Sequence, residues 1–237
     1  MIHYFPLTLP LLLILAGVFV VLFFMVVLDV LSYAYIKMGI APQYVLAVLF
    51  LSLVGSYINI PIMRFPQVQV VSEQEVIYFG IRYVLPVVRD WPGTVVAVNV
   101  GGAVVPALTS FYLLVKNRLW GRGILGTAIV AAICHELAHP VPGMGIAIPI
   151  FVPPLATTAV ALILSQRQVA PLAYISGSLG TLIGADLLNI GKIQGLGTPI
   201  ASIGGSGTFD GIFITGLLAV LFASIATTFD RRNRDGS

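Results

Sequence analysis

From Leu9 to Ile36 the chain carries one charged residue, Asp29. At 1.5 Å per residue a helix of that length outreaches a hydrocarbon core about 30 Å thick, so the segment reads as a membrane span and makes the bilayer the chain's solvent. More apolar runs come after it. The composition agrees, with 58% of the 237 residues hydrophobic and 9% charged, against roughly a quarter charged in a soluble domain. A soluble globular domain, a disordered chain and a collagen are excluded. Cys134 is the only cysteine, so no disulfide forms within the chain.

Backbone N–H and C=O groups in hydrocarbon need internal partners, and the long runs lack the alternation of a membrane barrel. The expected fold is therefore all-α, a polytopic transmembrane helical bundle of about seven spans. The spans are Leu9 to Lys37, Tyr44 to Ile60, Thr94 to Val115, Ile124 to His139, Ile148 to Ser165, Pro171 to Ile190 and Phe209 to Thr228. The first has no basic stretch before it and no convincing small-residue cleavage site, so it reads as a retained span.

Lys37, Lys116, Arg118, Arg122, Arg167, Arg231, Arg232 and Arg234 fall on one face, and Arg64, Arg82, Arg89 and Lys192 on the other. The positive-inside rule then puts the N-terminus outside and the C-terminus in the cytoplasm. These residues lie in short clusters between apolar runs, which marks topology and not nucleic-acid binding. The expected surroundings are the lipid bilayer, with a membrane peptide or small molecule as a possible substrate. Gly180 and Gly184 have a helix-packing spacing, but neither a monomer nor a homo-oligomer is favoured.

Residues 1–237 read as a single integral membrane domain. Within it, segment 62–93 is rich in Val, Ile and Tyr and predicts a small extramembrane β-hairpin or lid, with Gly80 at the bend and Pro86 limiting the second strand.

Charge near the bilayer centre costs at least ~2.5 kcal/mol, so polar residues in spans call for an explanation. Helix direction brings Asn59, Asn99, His135, Glu136, His139, Asp186, Asn189 and Asp210 toward one outer leaflet, which predicts an outward-open polar pocket. Asp29 lies nearer the cytoplasmic end and is assigned a structural role. The loops HPVPGMGIAIP and GKIQGLGTPIASIGGSGTFDG are rich in Gly and Pro, and the second is a candidate re-entrant segment. There Gly204, Gly205 and Gly207 could adopt positive φ or let backbone approach a ligand. Capping is the plain role for Asp210.

Several chemistries fit these residues. His135-Glu136-Leu137-Ala138-His139 matches HExxH, in which imidazoles at i and i+4 bind zinc and the glutamate activates water; Asp186 could be a third ligand. The motif resembles the site-2 intramembrane metalloproteases. Pro140 works against it, because a residue before proline is pushed out of the α region. Asp186 and Asp210 could instead share a proton and hydrolyse a peptide. Here Asp186 in GADLL, Phe209-Asp210 and Pro106-Ala107-Leu108 resemble the motifs of presenilin-type proteases, with Ala185 in place of a glycine and a different order along the chain. Membrane-embedded hydrolysis of a peptide is the leading expectation, and the alternative, ranked below it because no inverted repeat appears, is a cation- or proton-coupled small-solute transporter. The same residues also suit a scaffold whose polar contacts hold helices together.

Over a longer stretch VAVNVGGAVVPAL, HPVPGMGIAIP, SGSLGTLIGADLLN and IGGSGTFDGIFITGLLAV resemble a bacterial and archaeal family of multi-pass membrane proteins, domain-of-unknown-function family 1614. The resemblance implies a prokaryotic cell membrane and a shared fold whose recognisable blocks contain Asn99, Asp186 and Asp210, and it implies no reaction.

Overall fold

The computed structural model describes residues 9–66, 68–78, 81–91, 93–141, 145–194, 196, 198–205 and 211–235. Helix α1 (Leu9–Met38) is followed by α2 (Pro42–Gly55) and α3 (Val105–Asn117). Helices α4 (Trp120–Leu137), α5 (Val152–Leu164), α6 (Val169–Thr181) and α7 (Gly211–Asp235) complete the helical set. Proline opens α2, α3 and α5 within their first two positions, where its missing N–H has no helical partner to lose. Gly39, at φ 96°, ends α1, and the Ile40 N–H donates back to the Tyr35 carbonyl at 3.1 Å, closing the helix.

Helix α6 is the centre of the bundle. Leu172, Ala173, Tyr174 and Ile175 are fully buried, and α1, α3, α4, α5 and α7 all pack against it. Helices α4 and α6 run parallel, since Gly123 meets Ile175, Gly126 meets Ser176, Gly180 meets Val130 and Cys134 meets Thr181. The pair is close because α6 presents glycine. A Cβ on Gly184 would lie 2.2 Å from the Ala131 carbonyl oxygen. Among its described residues helix α1 is buried near its C-terminal end, at Ala34, Tyr35 and Met38; Phe19, Phe23 and Phe24 are exposed, as a lipid-facing helix requires.

The chain is mostly helical, as expected, with a small sheet besides. Among the described residues three segments are long and apolar enough to cross a membrane: Leu13–Met38, Val100–Asn117 and Val169–Lys192. Helix α2 has 14 residues and α5 has 13, or about 20 Å of rise each, short of a full hydrocarbon core. The end of the expected second span and the start of the third are sheet. Strands β1 (Asn59–Arg64), β4 (Val95–Asn99) and β7 (Ile200–Ile203) form a mixed sheet in the order β1-β4-β7. Strand β4 is antiparallel to β1 and parallel to β7. Its Val-Val-Ala-Val run reads in the sequence as the start of a span because an apolar run without alternation has no period to tell strand from helix. Thr94 Oγ1 fastens the sheet's edge by donating to the Thr198 carbonyl at 2.8 Å.

The hairpin expected in 62–93 is present as β2 (Val68–Tyr78) and β3 (Ile81–Trp91), paired in register from Val68 opposite Trp91 to Tyr78 opposite Ile81. Gly80 lies outside the described residues. Pro86 does not limit β3; it sits opposite Glu73 and the strand runs on to Trp91. In a two-stranded ribbon both strands are edges, where a residue without an N–H is tolerated.

Candidate polar site at the ends of α4 and α6

Two helices loosen where the sheet meets the bundle. A π-helical turn, Val100–Val104, joins β4 to α3. A second, Leu182–Asp186, extends α6 and passes into a 3-10 turn, Leu187–Lys192. Such turns widen or tighten the ladder and leave carbonyls to be satisfied by other means. Asn189, with none of its surface exposed, does so: its Nδ2 donates to the carbonyls of Gly184 at 2.8 Å and Ala185 at 3.0 Å. The amide is thereby turned so that Oδ1 is buried with no partner among the described residues.

Asn99 secures the other π turn. Its Oδ1 accepts from the Gly102 N–H at 2.8 Å, and its Nδ2 donates to the Ser56 carbonyl at 2.7 Å and to Asn59 Oδ1 at 3.2 Å. Ser202 Oγ lies 2.5 Å from Asn59 Oδ1 and 2.6 Å from the Gly205 carbonyl, so its single proton is divided between two acceptors. These contacts link all three strands of the sheet. With both amide hydrogens and its oxygen engaged, Asn99 holds backbone together at the wall of the site.

Asp186 ends the second π turn, and its Oδ2 accepts from the Gly204 N–H at 2.7 Å. Gly204 can be no other residue without strain. Its φ is 93°, and a Cβ there would lie 2.7 Å from both Ala103 Cβ and Ala103 N. Gly205 is also left-handed, at φ 83°, as expected for this segment. The half-buried Asp186 thus pins the end of β7 against the Val100–Val104 turn. Among the described residues no cation pairs with it and Oδ1 has no donor.

His135 stands at the same level. Ala131 abuts Gly184, and His135 lies one helical turn further along the same face of α4. Its Nδ1 is buried without a partner among the described residues. Glu136 is exposed. The helical facing expected of His135 and His139 is corrected: α4 ends at Leu137, Ala138 is extended at φ −81° and ψ 122°, and His139 is exposed at the start of β5 (His139–Val141). The cause is local, since Pro140 excludes the α conformation from its predecessor. Strand β5 pairs with β6 (Gly145–Ala147), which packs beside the Leu182–Asp186 turn. Among the described residues no three His, Cys, Asp or Glu side chains are grouped to hold a metal.

Asp210 and Gly207 lie outside the described residues. Asp29 is exposed on α1. The structure therefore brings Asn59 to Asn99, and the level of His135 to that of Asp186 and Asn189, while His139 and Glu136 stand apart. Sequence reasoning misses Ser56, Ser202 and the role of the Gly204 N–H. Only the Gly204-Gly205 pair signals that backbone there is specialised. A family described as a protein of unknown function, DUF1614, matches residues 53–222. No curated protein and no solved structure matches the chain.

Proposed function

The chain belongs to this family of unknown function, and we propose that it is a membrane protein whose site around Asp186 takes up a small cation or proton coupled to the movement of a small solute. One observation carries the reading: Asn189 Oδ1 and His135 Nδ1 are buried with no hydrogen-bond partner among the described residues, near a broken helix whose Asp186 uses one carboxylate oxygen on Gly204 and has no donor on the other. Buried acceptors without donors are costly and mark a place for a positive guest. A discontinuous helix that supplies them is the arrangement transporters use near ion sites. The Gly204 N–H anchors one carboxylate oxygen and leaves the other free.

The test is charge movement on a solid-supported membrane carrying proteoliposomes of the full chain, triggered by a jump in sodium or proton concentration. Wild type gives a transient that Asp186→Asn abolishes while the variant elutes and unfolds like wild type. An equal transient from that variant, or none from wild type, overturns the reading.

A membrane-embedded peptidase is the second reading, favoured by chain connectivity. Gly204, held on Asp186, is six residues from Asp210, a tether of at most about 20 Å. In that reading Asp186 and Asp210 alternate as acid and base. Cleavage of a fluorogenic membrane peptide, lost in both Asp186→Asn and Asp210→Asn, supports it. Cleavage retained in either variant removes the dyad.

A further inference from the structure

A different chemistry is concentrated at the opposite end of α6. There a cavity of about 370 Å³ opens between the last turn of α1, the α5–α6 connection and α7. Lys37 and Arg167 stand on its walls, and among the described residues no acidic side chain lines it. Both cations are exposed, and neither makes an ion pair among the described residues. Lys37 Nζ rests 5.3 Å from the centre of the Tyr33 ring, a contact that leaves its hydrogens free. The floor reinforces the charge. Val169 and Ala170 open α6 on this cavity, and the preceding Gln168 gives no side-chain cap. Their first-turn N–H groups have no acceptor within the helix. Hydroxyls from Ser224 and Thr228 line the far wall, their protons already donated to α7 carbonyls.

Location narrows the guest. Lys37 sits in the last turn of the long lipid-facing helix α1, with Tyr33 and Ile36 exposed beside it, so the cavity lies where apolar surface gives way to basic surface. Basic pockets at that boundary suit the phosphate of an anionic lipid. We infer that this cavity is a binding site for a phosphate group, held between Lys37 and Arg167 at the start of α6. A glycerophospholipid headgroup is the occupant its position favours. Inorganic phosphate shares the same chemistry and is separated from it by experiment.

The full chain is placed in nanodiscs of mixed phosphatidylglycerol and phosphatidylcholine, and the lipids retained on it are counted by native mass spectrometry. Wild type retains phosphatidylglycerol preferentially. Each cation removed weakens retention about fivefold, so the combined Lys37→Ala and Arg167→Ala variant loses the preference, while Lys192→Ala, at the other end of the helix, keeps it. Retention that survives added inorganic phosphate identifies the lipid. Displacement by inorganic phosphate identifies the free anion, and both outcomes uphold a phosphate site. Equal retention of the two lipids by wild type, or an unchanged preference in the double variant, overturns it. Both side chains are exposed, and thermal unfolding verifies that the double variant is folded.

Discussion

The Asp186 carboxylate and the Gly204 N–H, separated by 18 residues of chain, meet at 2.7 Å and join the end of the central helix to the end of the sheet. The bond has a structural half and a free half, because one carboxylate oxygen is used and the other is not. Substitutions can separate them. Asp186→Asn keeps an oxygen acceptor for Gly204, so its stability stays within roughly 0.5 kcal/mol of wild type, whereas Asp186→Ala loses about 1 to 3 kcal/mol. Chemical unfolding in detergent compares the two, and equal losses would show that the bond contributes nothing.

Gly204→Ala adds a Cβ where Ala103 already stands and forces a left-handed φ on a residue that resists it. The expected cost is about 1 to 3 kcal/mol. It reads as a lower melting temperature and faster hydrogen exchange in Val95–Asn99, the strand beside β7. Exchange unchanged in that strand would contradict the link between the glycine and the sheet.

Asn99→Ala removes three hydrogen bonds from a side chain 1% exposed. Orphaning the Gly102 N–H and the Ser56 carbonyl adds to the loss, about 1 to 3 kcal/mol for each buried group left unpaired. A double-mutant cycle with Asn59→Ala should give a coupling of at least ~0.5 kcal/mol. Additive losses would mean that the 3.2 Å contact between the two amides carries no energy.

Cys134, the only thiol, is buried between α4 and α6 with Sγ 3.7 Å from Thr181 Oγ1. Maleimide labelling therefore reports on separation of these helices. Wild type should react slowly. Gly184→Ala, whose Cβ meets the Ala131 carbonyl oxygen at 2.2 Å, should react at least tenfold faster, a change corresponding to about 1.4 kcal/mol of lost packing. Identical rates would show that the close approach at Gly184 does not hold the pair together.

Helix α1 is legible in the sequence because its run of apolar residues admits one solution in lipid. The left-handed Gly204 and Gly205 are legible too, since a glycine pair next to a strand has few other uses. Asn99 and Asp186 stand out as polar residues in apolar surroundings, and their partners do not. Every hydrogen bond of Asn99 except the one to Gly102 crosses from a segment about 40 residues away, and no local pattern encodes such a distance. The β1-β4-β7 sheet is hidden by its own apolarity: Val95, Val96 and Val98 look alike whether they open a helix or fill a strand. The HExxH pattern misleads in the opposite way. Five letters suggest a helical face, and the sixth, Pro140, has already ended it.

The parallel pairing of β4 with β7 spans 100 intervening residues, from Val100 to Pro199. Strand β4 is synthesised long before its partner. At ribosomal rates of about 5 to 20 residues per second, its edge waits roughly 5 to 20 s for β7 to emerge, while α3 to α6 are being made. During biosynthesis the chain therefore carries an open strand edge while α3 to α6 are made, and only β1 is available to shield one side of it.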